Sequence, residues 1–345
     1  MHAGAVRYPA PLRPGDTIGV TAPSSGVEDE LGPRLDFCVE HLRRLGYQVR
    51  VGDCMDGTGL VSAPAADRAA ELAGMLLDPR VGAVVPPWGG ELAIDLLPLL
   101  DYERLAAAAP TWVVGYSDTS TVLTPLTLLT GVATLHGANL MDTPFAPPEG
   151  LAHWLDVATS PTGATVTQTA ATHHQESWPD FRTQPEVESM QLTVAAGWQV
   201  LGDARDVQAT GRLVGGCLDT LAMLPVTPYG DVGAFADRHA PEGLLVYLEV
   251  SDAPAAEVSR MLHHLRYAGW FDRATGVMVG RTPAPATLGF SQVDAVHHAL
   301  GDLPVPVLFD VDVGHVPPQM ALVNGALATM ELTGSARGTL VQRLV

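Results

Sequence analysis

The stretch Trp112-Val113-Val114-Gly115-Tyr116-Ser117-Asp118-Thr119-Ser120 decides the reading of the fold. Its first residues form an apolar run with the character of a buried parallel strand, and residues 119–129 continue as a helix whose first turn lies beside the serine. Strand, sharp turn and helix make the basic unit of an α/β sheet. A serine at such a turn is held in a fixed direction with backbone N–H groups next to it.

The same alternation repeats toward the N-terminus. Residues 15–23 read as a strand ending in a turn, 35–45 as a helix closed by Gly46, and 47–51 as the next strand. A helix over 67–77, a strand over 81–85, the turn Pro86-Pro87-Trp88-Gly89-Gly90 and a helix over 92–100 follow. Such alternation predicts a parallel sheet covered on both faces. Between about residues 150 and 211 the pattern weakens into Thr-, Gln- and His-rich sequence. We read this part as a linker plus an irregular loop, with recognition and mere connection both open as its purpose. Beyond it, strands over 210–214, 244–249, 276–280 and 307–310 alternate with helices over 218–224, 255–267 and 292–300. A hairpin around Gly334 closes the chain. The domain cut is therefore 1–150, 151–209 and 210–345.

Composition narrows the function. At 345 residues two hydrophobic cores are the better expectation, and 47% hydrophobic residues can fill them. A formal net charge of −19 speaks against binding of a nucleic acid polymer, which needs a basic face. All 19 basic side chains are Arg, so P-loop lysines, Schiff bases and Ser-Lys dyads are excluded together. Cys38, Cys54 and Cys217 are odd in number and far apart, as reduced thiols of a cytoplasmic protein would be, and no C-x-x-C pair suggests a metal. The N-terminal residues lack the apolar core of a signal peptide, and apolar windows are interrupted before a membrane span is reached.

Attack by a serine needs a base, a group that orients the base, and donors for the oxyanion. Glu249 ends the apolar run Leu244-Leu245-Val246-Tyr247-Leu248, at the strand end where α/β proteins place ligands. His315 stands between Gly314 and Val316-Pro317-Pro318, just past another strand. The Gly89-Gly90 turn is either a tight βα connection or a source of oxyanion donors. Taken alone, a turn serine, a strand-end glutamate and a loop histidine are each more often structural, and spacing does not join them.

The run from Pro86 to Gly90, Leu97-Pro98-Leu99-Leu100-Asp101-Tyr102 and Val114 to Ser120 resemble the serine peptidase family of LD-carboxypeptidases and microcin C immunity proteins. His136-Gly137, Gly215-Gly216-Cys217-Leu218, Leu248-Glu249, Gly269-Trp270-Phe271-Asp272 and Gly314-His315 agree in order. The resemblance implies an N-terminal flavodoxin-like parallel-sheet domain and a C-terminal swivelling β/α domain, with the site between them and commonly a homodimer. It implies Ser117 as nucleophile, His315 as general base and then acid, and Glu249 orienting the imidazole. Backbone N–H groups of Asp118 and of Gly89 or Gly90 would form the oxyanion hole. Neither a cofactor nor a metal is implied.

Two branches share this chemistry. One removes the terminal D-alanine of muropeptides; the other cleaves an aminoacyl or peptidyl group from a nucleotide-like moiety, holding the base with aromatic residues of the middle loop. Trp178, Phe181 and Trp198 resemble that second arrangement, and with Glu91 they are the implied substrate contacts. Pinning the loop to the surface is the competing reading of the two tryptophans. Cys217 stands where relatives usually carry Asn, and Ser251-Asp252-Ala253 lacks the basic residue of some members. The expectation is a hydrolase of small peptidyl-nucleotide conjugates, with a muropeptide carboxypeptidase second and an inactive conjugate-binding protein third.

Overall fold

The apolar runs of the N-terminal part assemble into one sheet in the computed structural model, which describes residues 4–202, 204–334 and 337–345. Met1 to Ala3 of the N-terminal stretch lie outside the described residues. Strands β1 (Thr17–Val20), β2 (Gln48–Val51), β3 (Val81–Val84), β4 (Trp112–Gly115) and β5 (Thr134–His136) run parallel in the order β5-β4-β3-β1-β2. This is the flavodoxin-like winding, with the strand order reversing between β1 and β3. Ile18, Ala83, Trp112, Val114 and Leu135 are shut off from solvent, because both faces of a parallel sheet are covered.

Helices α1 (Gly32–Arg44), α2 (Ala65–Leu76), α3 (Tyr102–Ala107) and α4 (Ser120–Thr130) connect or follow these strands. The expected helix over 92–100 is instead a 3-10 helix, Ala93–Leu99, with Pro98 inside it. Proline has no N–H to donate to a carbonyl one turn back, so a regular α-helical ladder is interrupted at Pro98. Nine of the eleven residues of α4 are buried, which makes it a core helix between two layers rather than a surface one.

The chain next forms β6 (Thr165–Thr169), the short pair β7 (His173–His174) and β8 (Val194–Ala195), and β9 (Gln199–Val200). Then come β10 (Asp206–Cys217), β11 (Leu244–Glu249), β12 (Ala274–Gly280) and β13 (Val307–Val311), four parallel strands of a second sheet. β14 (Leu322–Asn324) crosses back to pair antiparallel with β5 of the first sheet. β15 (Leu327–Thr333) and β16 (Thr339–Arg343) extend the second sheet, with β6 and β9 as its antiparallel edges.

The stretch read as irregular therefore contains ordered strand. β6 was hidden because it is Thr-rich and its inward residue is polar: Gln168 is wholly buried, accepting from the Ala152 and Ala321 N–H groups and donating to the Ala321 carbonyl. Where β10 turns into the next helix, Ser120 and Thr124 of α4 bind its backbone. The Cys217 N–H donates to Ser120 Oγ (3.0 Å), and Thr124 Oγ1 donates to the Gly215 carbonyl (2.8 Å). The two sheets thus meet through the helix that follows Ser117. Among the described residues no helix is long and apolar enough to cross a membrane.

Arg34 of α1, wholly buried, holds the middle segment against the first sheet's helices. Its guanidinium donates to the carbonyls of Met141 (2.9 and 2.6 Å), Pro185 (2.9 Å) and Val187 (2.7 Å), and lies 4.3 Å from the Phe181 ring centroid. Arg34→Met should lower unfolding free energy in urea by about 1.5–3 kcal/mol, the range for a hydrogen bond to a charged group. It should also speed tryptic cleavage after Arg182; unchanged cleavage and stability would contradict the clamp.

Candidate active site

β4 ends at Gly115, with φ 150°, and the next residue but one, Ser117, has φ 64°. A serine in the left-handed region is strained and persists only where its surroundings dictate it. Tyr116 supplies part of that dictation: its N–H donates to Asn139 Oδ1 (3.2 Å) and its hydroxyl to Asp142 Oδ2 (3.0 Å). The glycine turn supplies the rest. A Cβ on Gly89 would stand 2.7 Å from Ser117 Cβ and 2.9 Å from the Asp118 nitrogen, so only glycine permits this approach. The Asp118 carboxylate is buried and accepts from Ser24 Oγ (2.6 Å), Thr121 Oγ1 (2.9 Å) and the Ala93 N–H (2.8 Å). Its side chain is thereby spent on tying the elbow to the segment after the glycine turn.

Glu249, the last residue of β11, is wholly buried, and its Oε2 lies 2.7 Å from His315 Nδ1. His315 Nε2 in turn lies 3.1 Å from Ser117 Oγ. An ionised carboxylate only accepts, so Nδ1 carries the proton and Nε2 is left to accept from the serine hydroxyl. The loop bearing His315 passes so close that a Cβ on Gly314, at φ 101°, would meet Glu249 Oε2 at 2.5 Å. Burial pushes the His315 pKa down, but the Glu249 charge outweighs it and leaves the imidazole above its ordinary range. Burial would likewise raise Glu249; facing His315 and His136, it is held well below the usual carboxylate range. A hydroxyl, an imidazole and a carboxylate in this series can pass a proton from oxygen to nitrogen and stabilise the cation that results.

Beside Ser117 opens a cleft. Gly90, Glu91, Cys217 and Met223 line it, and its charged lining residues, Glu91, Asp118, Asp219 and Asp252, are all acidic. Asp219 was not singled out from sequence. It accepts from the Ser251 (3.0 Å) and Ala253 (3.1 Å) N–H groups and so shapes the wall after β11; an Asp in the first turn of the helix after Gly215-Gly216 was the available signal. Cys217 is buried at the floor, and burial holds its thiol well above the ordinary value, which leaves it protonated and unreactive.

The aromatic contacts expected of the middle loop divide. Trp178 is half-buried near the site, its indole N–H donating to the His315 carbonyl (2.9 Å) and its ring edge-on to Phe145 at 5.6 Å. Phe181 lies instead on the Arg34 guanidinium. Trp198 is corrected outright as a stacking residue: only 6% exposed, it sits in the core of the second sheet and donates to buried Asp312 Oδ2 (2.9 Å). Its partner stands 114 residues away in the chain, and nothing local to Ala196-Gly197-Trp198 announced it.

Two family models match the chain: the LD-carboxypeptidase N-terminal domain over residues 18–137 and the LD-carboxypeptidase C-terminal domain over residues 210–330. A Vibrio cholerae protein named "Putative carboxypeptidase" is 27% identical over 94% of this chain and 95% of its own length. The microcin C7 self-immunity protein of Escherichia coli is 24% identical over 92% of this chain and 90% of its own. A solved structure of that immunity protein's type, MccF in complex with glutamyl sulfamoyl guanosine, superposes with a TM-score of 0.80 at 22% identity, covering 97% of this chain and 98% of the other. That likeness establishes the two-domain α/β fold.

The Glu249–His315 pair carries a pH signature. Glu249 is depressed, so its contribution to stability is present above the ordinary carboxyl value of 4.5 and is lost as pH falls below it. His315 is raised, so its contribution is full below the ordinary histidine value of 6.5 and is lost as pH rises through its raised value. The stability difference between the wild type and Glu249→Gln, measured by urea unfolding, should therefore peak between these two values. A difference independent of pH would contradict an ionised pair.

Proposed function

The chain belongs to the LD-carboxypeptidase family, and from that premise we propose that it is a serine hydrolase cleaving the acyl–nitrogen bond of aminoacyl or peptidyl nucleotide conjugates. One observation carries the chemistry: the unbroken series from Ser117 Oγ through His315 to Glu249, at 3.1 and 2.7 Å. Ser117 Oγ attacks the carbonyl carbon while its proton passes to His315 Nε2, and Glu249 stabilises the imidazolium. The N–H groups of Asp118 and of Gly89 or Gly90 meet the oxyanion, a type of contact that contributes about 3–4 kcal/mol per donor. When the carbon–nitrogen bond breaks, His315 returns the proton to the leaving nitrogen. Water, deprotonated by the same imidazole, then releases the acyl group and regenerates the serine.

The cleft favours this substrate class. Its charged lining is wholly acidic, and the chain contains no Lys. An aminoacyl conjugate presents an ammonium group, which such a wall attracts; a peptide ending in a free carboxylate is repelled by it. A muropeptide LD-carboxypeptidase is the second reading, favoured by the burial of Trp198, one of the expected stacking residues, in the core of the second sheet. Trp178 and half-buried Phe181 are then the aromatics left to serve a base.

Incubation with an aminoacyl sulfamoyl adenosine and with a muropeptide tetrapeptide, followed by mass spectrometry, separates the readings. Release of the amino acid from the adenosine conjugate by the wild type, and not by Ser117→Ala, is the expected result. Loss of D-alanine alone would transfer the assignment to the second reading, and turnover of neither would sink both. Because His315 is raised, kcat/KM should climb with pH through a limb lying above 6.5. A limb at or below that value would count against His315 as the base.

A further inference from the structure

Three polar atoms beside this series have no hydrogen-bond partner among the described residues although they are fully buried: Glu249 Oε1 and both ring nitrogens of His136. They adjoin one another, with His136 Nε2 3.7 Å from Glu249 Oε1, and neither residue has any exposed surface. A buried carboxylate with one oxygen engaged and the other empty is costly, and so is an unpaired buried imidazole. Unsatisfied groups that face each other call for a common reason.

The backbone aims His136 at this spot. It is the last residue of β5, in register with Gly115 of β4, two residues before Ser117, and with Leu322 of β14. Its ring is edge-on to Tyr116 from the first sheet, at 6.3 Å between centroids, and to Tyr247 from the second, at 5.4 Å. The Tyr116 hydroxyl is tied to Asp142 and the Tyr247 hydroxyl to Asn324 (2.9 Å), so the rings that confine His136 are themselves fixed.

We propose that His136 is a positioning residue, which donates its Nε2–H to Glu249 Oε1 across the joint between the two sheets and holds the carboxylate in the rotamer that engages His315. Closing from 3.7 Å to hydrogen-bond length takes a shift of less than about 1 Å. His136 also contributes to keeping Glu249 below the usual carboxylate range. Without it the carboxylate is free to turn away from Nδ1, and His315 loses the charge that raises it. The other groups facing the pair are Asp142 and Tyr116 from the first sheet's side, and Asp219, Cys217 and Tyr247 from the second. All of them remain in place when His136 is changed.

The proposal deepens the serine-hydrolase reading and rests on it only for its effect on turnover, so the test begins without substrate. The His315 ring would be titrated by NMR in protein labelled with nitrogen-15 histidine, its signals assigned with His315→Ala, for the wild type, His136→Gln, His136→Asn and His136→Phe. Gln carries a donor at the place of Nε2; Asn is too short to reach Oε1, and Phe has no donor. His315 should titrate above the ordinary value in the wild type and the Gln variant, and should fall toward that value in the Asn and Phe variants. With a substrate in hand, kcat in the latter two should drop roughly 10- to 100-fold with KM little changed, the size of effect that loss of an outer hydrogen-bond partner has on metal-bound histidines. Folded Asn and Phe variants in which His315 titrates as in the wild type would overturn the proposal. Failure of all three variants to fold would also overturn it, because the ring would then be a packing element. A wild type that turns over nothing while the titrations behave as expected would instead count against the hydrolase reading alone.

Discussion

A carboxylate with no exposed surface stays ionised only where donors and opposite charge surround it, and Glu249 sets that condition for the whole site. His315 answers it at 2.7 Å, and much of the surrounding structure serves to keep His315 there. Gly314 lets the loop graze the carboxylate, and the Trp178 indole holds the His315 carbonyl. Upstream in the same loop, buried Asp312 accepts from Arg281 (3.0 Å), from the Trp198 indole and from the Ala171 N–H. Removing one partner of such a buried ion pair costs about 3–5 kcal/mol, so neither Asp312 nor Arg281 can be truncated alone without loss of stability.

The nucleophile's side of the site is governed by close approach rather than charge. Ser117 takes a left-handed backbone because Gly89 lies against its Cβ, Asp118 is tied to Ser24 and Ala93, and the Tyr116 N–H is spent on Asn139. The two sides join through α4, whose first residue receives the N–H of Cys217. The contact that joins the two sheets thus lies three residues from the nucleophile.

Much of the fold was legible where local patterns suffice. The run at Trp112–Gly115, the strand Leu244–Glu249 and the helices Ala255–Tyr267 and Gln292–Leu300 fall where apolar runs and helical periodicity put them. Periodicity failed at Ala93–Leu99, which winds as a 3-10 helix with Pro98 inside it, and at Thr165–Thr169, where a buried glutamine stood in for the apolar residue a strand usually shows. The site itself was beyond local reading, since Ser117 and His315 lie 198 residues apart; only a matched order of motifs suggested that they meet. The same limit misplaced Trp198, whose partner Asp312 is remote in the chain, and hid the Arg34 contact of Phe181. It also left His136, noted only as part of a matching motif, without a role, since it resembles any strand-end histidine until Glu249 is seen beside it.

The central claim is that His315, poised by Glu249, makes Ser117 a nucleophile. Labelling with a fluorophosphonate, with the adduct located by peptide mass spectrometry, tests it most directly because it assumes no substrate. The account predicts one adduct per chain, on the peptide containing Ser117, forming at least about 100-fold more slowly in His315→Ala, in line with the loss of a general base. An adduct on another residue, or an equal rate without His315, would contradict it.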